Sequence, residues 1–153
     1  METFKYEKII KAISPIVKQQ TDCTDFVPDS DMGDQPEYPF ASYSFMSPHI
    51  KVTEDVPDHE IFELSMQIAV SDPSEFVVLD QVERIRKSMY DYQTSLSLDK
   101  QHIYLIDIDD GAMADNVLSV QIEHRAAVVL HFRVMDDFED DIPSMDNATF
   151  EIK

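Results

Sequence analysis

The sequence predicts an α+β fold, an antiparallel or mixed β-sheet of four to five strands with two main helices packed on one face. Three patterns lead there. Apolar residues recur at three- and four-residue steps over 3–19 and again over 76–92, the period of amphipathic helices. Residues 61–71 alternate apolar and polar with a period of two, as a strand with one covered face does. Two more β-rich runs follow the second helix, giving the order helix, two strands, helix, two strands, with room for one more.

The first helix carries Tyr6, Ile9, Ile10, Ile13, Ile16 and Val17 on one stripe, and Pro15 should kink or end it near Ser14 because proline lacks a donor and crowds the preceding turn. Residues 20–39 hold Pro28, Asp29, Ser30, Gly33, Pro36 and Pro39 and read as a long loop. Phe40–Phe45 is strand-like, Pro48 marks a break or an edge position, and the strand resumes over Ile50–Val52. The acidic segment 54–60, with Pro57, suits a hairpin loop. In the next strand Phe62, Leu64, Met66, Ile68 and Val70 form the buried face. Asp72, Pro73 and Glu75 then predict a capped helix start, with Phe76, Leu79, Val82, Arg86, Met89 and Gln93 on one face and an end near Tyr92. His102–Ile108 is a strand with Ile103, Leu105 and Asp107 on one side and Tyr104, Ile106 and Ile108 on the other. Val117–Val134 is long for one strand, so a bend or bulge near His124–Arg125, or a helical turn at Asp115–Ser119, is expected. Ala148–Ile152 is the expected terminal strand.

The 153 residues suffice for a single domain over 1–153, with the loop 20–39 and the acidic segment 136–153 as its expected mobile parts. Twelve Lys and Arg against 31 Asp and Glu give a net charge of −19, which argues against sequence-independent DNA binding and against docking on anionic lipid. One cysteine, Cys23, permits no intramolecular disulfide and fits a cytosolic setting. Two glycines are too few for nucleotide-cradling loops. Lysines 5, 8, 11 and 18 interrupt any signal-peptide core, and no apolar stretch is long enough to span a membrane.

Candidate chemistry is sparse. His124 and His131 differ by seven, so a continuous strand points them to opposite faces, and no Cys/His cluster with zinc spacing exists. Asp107, Asp109, Asp110 and Asp115 crowd a turn but miss the calcium-loop spacing; with Asp136–Asp141 they read as solvated acidic loops. No nucleophile motif appears, and no cofactor or metal is expected. Two of the four arginines, Arg125 and Arg133, share a strand face with Gln121, Glu123 and His131. Either they form cross-strand charge pairs or they reach an acidic neighbouring subunit. The same face holds Ala127, Val129 and Met135, and a semi-apolar second face suits cover by another copy.

The layout resembles the neck or tail-terminator proteins of tailed bacteriophages and related prophages. The matching elements are the N-terminal amphipathic helix, the Pro-rich loop running into P-F-A-S-Y (Pro39–Tyr43), the alternating strand Phe62–Val70, the helix after Asp72, and the closing strand H-R-A-A-V-V-L-H-F-R (His124–Arg133). The likeness spans about residues 3–136, and the acidic tail from Asp136 onward finds no match. It implies a structural subunit, not an enzyme, that closes into a ring, typically a hexamer, on the head-proximal end of the tail tube. The implied partners are copies of itself, the tail tube protein and the head connector or head-completion protein, with no membrane. DNA passes through without specific binding. The implied locations are the host cytoplasm during assembly and the tail of the mature virion. A ring needs a heterologous, closing interface, for which Arg125, His131 and Arg133 are the candidates. Asp107, Asp109 and Asp110 are candidates for an acidic turn facing a lumen, where negative charge repels DNA phosphates, or facing a partner. The alternatives are an acidic adaptor that binds a basic protein, or another head–tail joining or tail-completion protein.

Overall fold

The computed structural model describes residues 1–30, 33–54, 57–118 and 122–140. Its elements in chain order are α1 (Glu7–Gln20), β1 (Phe26–Pro28), β2 (Phe40–Lys51), β3 (Ile61–Asp72), α2 (Glu75–Tyr90), α3 (Tyr92–Asp99), β4 (Ile103–Asp110), β5 (Ala114–Val117) and β6 (Ile122–Met135). The class is α+β as expected, but among the described residues the sheet has six strands rather than four to five, and there are three helices rather than two. The order across the sheet is β1-β2-β3-β6-β4, with β5 also pairing β6. Only β1 runs parallel to its neighbour, so the sheet is mixed.

The two additional strands arise where local sequence hides them. β1 lies inside the Pro- and Asp-rich segment expected to be loop, and its three residues pair with Ala41–Tyr43. β5 occupies the place where a bend or helical turn was expected, and pairs antiparallel with Ile122–Arg125. The expected bulge near His124–Arg125 is therefore unnecessary: β6 pairs with β3 in unbroken register from His124 to Met135. A bulge occurs instead in β4, between Leu105 and Asp107. It sets Ile106 aside and reverses the parity after it, so Ile108 joins Ile103 and Leu105 on the core side, contrary to the simple alternation. Gly111 links β4 to β5 and donates its N–H to the Ala127 carbonyl at 2.9 Å. A Cβ there would lie 2.6 Å from the Ala127 Cβ, so only glycine allows this approach.

The helices depart from expectation in phase and extent. α1 continues through Pro15 to Gln20, because Ile9, Ile13 and Val17 are buried on both sides of the proline and hold the helix in place. α2 starts two residues later than expected. Ser74 is its N-cap, accepting from the Val77 N–H, while Asp72 ends β3 and accepts the Ser74 N–H at 2.8 Å. Its buried residues are Val78, Gln81, Ile85 and Met89; of the expected face only Met89 is buried, Val82 is partly buried against the core, and Phe76 is 83% exposed. The short β3–α2 connection sets which face meets the sheet, whatever apolar residues the other face carries. Asp91 then caps a separate helix, α3, whose Leu98 is buried.

One core joins these elements. The five residues expected as the buried face of β3 are all buried, and with Val128, Leu130, Phe132 and Val134 of β6 they meet α1 and α2. Phe4 stands edge-on to Phe62 at 5.4 Å, which ties the N-terminus to the sheet. Pro48 sits in β2 within the register irregularity between Ser47 and Ile50, in the half of the strand that β1 does not cover. Residues 136–140 return along 58–60: Asp136 donates its N–H to the Glu60 carbonyl and His59 to that of Phe138, each at 2.8 Å. The expected strand Ala148–Ile152 lies outside the described residues.

Candidate functional site

The sheet face away from the helices is polar and locally ordered by register. Glu63 of β3 stands opposite Arg133 of β6, and the guanidinium reaches its carboxylate at 2.7 Å. One pair along, Ser65 stands opposite His131. The Ser65 hydroxyl lies 2.8 Å from His131 Nδ1, and His131 Nε2 lies 2.7 Å from Asp109 of β4. A carboxylate only accepts, so in the neutral ring Nε2 carries the proton and Nδ1 accepts from Ser65. Serine, histidine and aspartate in line resemble a nucleophile relay. Here Ser65 is only 5% exposed and β3 is paired on both edges, so its backbone donors are committed to ladders and not to an oxyanion.

A second cluster closes the other end of the same face. Arg125 donates to Asp29 at 2.7 Å, and the Ser42 hydroxyl reaches the same carboxylate at 3.3 Å. The Arg125 guanidinium holds the Asp29 carboxyl below its ordinary value. Tyr38 donates its hydroxyl to buried Glu123 at 2.5 Å, and Asn116 of β5 donates to the other oxygen at 3.0 Å. That bond to a carboxylate pushes the Tyr38 hydroxyl up to about 12. His124 and Asp115 pair across β5 and β6 at 2.8 Å.

The sequence-derived residues thus lie on one face but are not one site. Arg125, His131 and Arg133 each have an acidic partner within the chain. Asp107 and Asp110 are exposed on β4, and Asp109 is held by His131. Asp29, Ser65 and Tyr38 were not foreseen, since their partners lie 13 to 96 positions away; Glu123 was placed only on the strand face of Arg125, without its partners Tyr38 and Asn116. Only the turn-rich character of 20–39, a loop long enough to carry function, hinted at Asp29 and Tyr38. No group of three or more metal-ligating side chains occurs among the described residues.

A family described as phage neck terminator protein matches residues 7–153. The chain belongs to this family. Neck terminators are structural proteins of the virion, and a tail-terminator role at the neck, in contact with other head and tail proteins, follows from membership. The match takes in the acidic segment after Asp136, which the resemblance drawn from the sequence left out. No curated protein matches the chain.

Proposed function

We propose that this neck terminator closes into a homo-oligomeric ring, a hexamer, that caps the head-proximal end of the tail tube and meets the head connector. Assembly takes place in the host cytoplasm, and the ring ends in the virion tail. The role is structural and needs neither catalysis nor a cofactor.

Besides family membership, the distribution of charge supports this reading. Residues 1–20 and 75–100, which supply the helices, hold eight cations and seven acids, whereas the rest of the chain holds four cations and 24 acids. Of these, 19 acids and three cations lie in the described strands and their connections, so the sheet side is strongly negative. Turned toward the DNA path, such a surface repels phosphates and lets the genome slide without sticking. The outer strip of β6 and β4 is the proposed subunit-contact surface, with Arg125, His131 and Arg133 reaching acids of the next copy. Arg133 gives one nitrogen to Glu63 and is 47% exposed, so donors remain for a neighbour.

Light scattering on the eluting protein at several concentrations, in moderate salt, tests the ring. A hexamer-sized species is expected, and tail tubes assembled with it should stop at shorter lengths. A chain that stays monomeric and leaves tube length unchanged overturns the reading and favours an acidic adaptor. Arg133→Glu should weaken assembly; unchanged assembly removes the β6 strip from the contact.

A further inference from the structure

We infer that the ring contact is electrostatic and head-to-tail, with the acidic β4–β5 edge of one copy packing on the lysine stripe of α1 in the next. This rests on the ring reading and adds a second charge pairing to the contact proposed above for Arg125, His131 and Arg133.

The intrachain ion pairs point to these surfaces. All four arginines are paired within the chain, to Asp22, Glu83, Asp29 and Glu63. Lys11 has Glu7, but Lys5, Lys8 and Lys18 have no acidic partner among the described residues, in a chain with 31 acids. Lys8, Lys11 and Lys18 recur at helical spacing, on the stripe turned away from buried Ile9, Ile13 and Val17. Unpaired cations on so acidic a molecule are available to an external acid.

The other surface has the opposite character. Residues 103–118 hold Asp107, Asp109, Asp110 and Asp115 and no lysine or arginine. Among the described residues β4 ends the sheet, and its outer edge has no strand partner there. Tyr104 and Ile106 are exposed there beside the acids. Lysine suits such a strip, because its stem covers apolar surface while its head reaches a carboxylate. α1 packs on α2 and β1, with Lys11 on a groove shared with α3, and Tyr6 just before it meets Phe45 and Pro48 of β2, so the stripe is a surface separate from the outer edge of β4. Two different surfaces are what a heterologous, closing contact requires.

A charge swap tests this. D107K/D110K alone and K5E/K8E/K18E alone should each weaken self-association by about tenfold or more, by setting like charges face to face. An equimolar mixture of the two should form a hetero-contact that neither makes with itself, and a chain carrying both sets should recover assembly. Circular dichroism checks that each variant is folded. Tube capping is read in parallel, so a copy that joins its neighbours only on the tube is still scored. Wild-type rings or capped tubes with no loss in either single-side variant overturn this contact and leave the ring reading standing. Loss in both variants without recovery in the swap also overturns it. Wild-type protein that neither oligomerises nor caps tubes overturns both.

Discussion

Arg125 and Arg133 are chemically alike and sit eight positions apart on one strand, yet they do different work. The Arg125–Asp29 pair is the more enclosed, with the Ser42 hydroxyl on the same carboxylate, and it fastens the segment after β1 to β6. Arg125→Ala should cost about 1–3 kcal/mol in urea denaturation, because it leaves a part-buried carboxylate without its partner. Arg133→Ala, at an exposed cross-strand pair, should cost under about 1 kcal/mol. The Asp29 carboxyl is lowered from 3.8 in the folded state, so its stabilisation is present above about pH 4 and fades as pH falls through the lowered value. Arg125→Ala should flatten that part of the stability–pH profile. Tyr38 works in the opposite direction. Its hydroxyl is raised from 10 to about 12, so its contribution is complete below pH 10 and is lost as pH rises toward 12. An alkaline absorbance titration should show Tyr38 and Tyr6 ionising late in the native protein, and Tyr38→Phe should remove the latest step while leaving that of Tyr6.

Single positions decide where elements begin, bulge and join. Ser74 caps α2, and Ser74→Ala should cost about 1 kcal/mol of stability. Gly111 brings the β4–β5 link against Ala127 more closely than any side chain allows. Gly111→Ala should destabilise by about 1–3 kcal/mol, and adding Ala127→Gly should recover part of that loss in the same denaturation assay. α2 shows the limit of periodicity. Phe76 and Leu79 are strong apolar markers on an exposed face, while Gln81 is buried because its amide exchanges two hydrogen bonds with Asp22, at 2.8 and 2.9 Å. Phe76→Asp should therefore fold normally, and Val78→Asp should not; near-UV circular dichroism separates them.

Across the whole molecule, charge is partitioned as sharply as polarity. Three cations face 19 acids in the described strands and their connections, so the sheet side repels itself and neighbouring copies at low salt. The urea midpoint should rise as salt increases from about 10 to 200 mM, where screening shortens from about 30 to under 10 Å. A midpoint that falls over this range would mean that attractive pairs such as Arg125–Asp29 outweigh the repulsion. The proposed contact between copies sets this excess against the few unpaired lysines of α1, which explains how so acidic a chain could associate with itself.

By itself the sequence determined the class of fold, the five buried residues of β3, the run of alternating residues in β6, an irregularity at Pro48 and the family. These depend on local periodicity and on the order of elements, both written along the chain. The tertiary structure decided the rest. β1 exists because β2 offers three residues to pair with, and Ile108 turns inward because a bulge at Ile106 absorbs one residue. α2 buries the face that its short link from β3 presents to the sheet. Ser65, His131 and Asp109 come together through the registers of three strands, and Tyr38 finds Glu123 across 85 positions. Pairing partners and helix phase depend on contacts between distant residues, which no local pattern encodes.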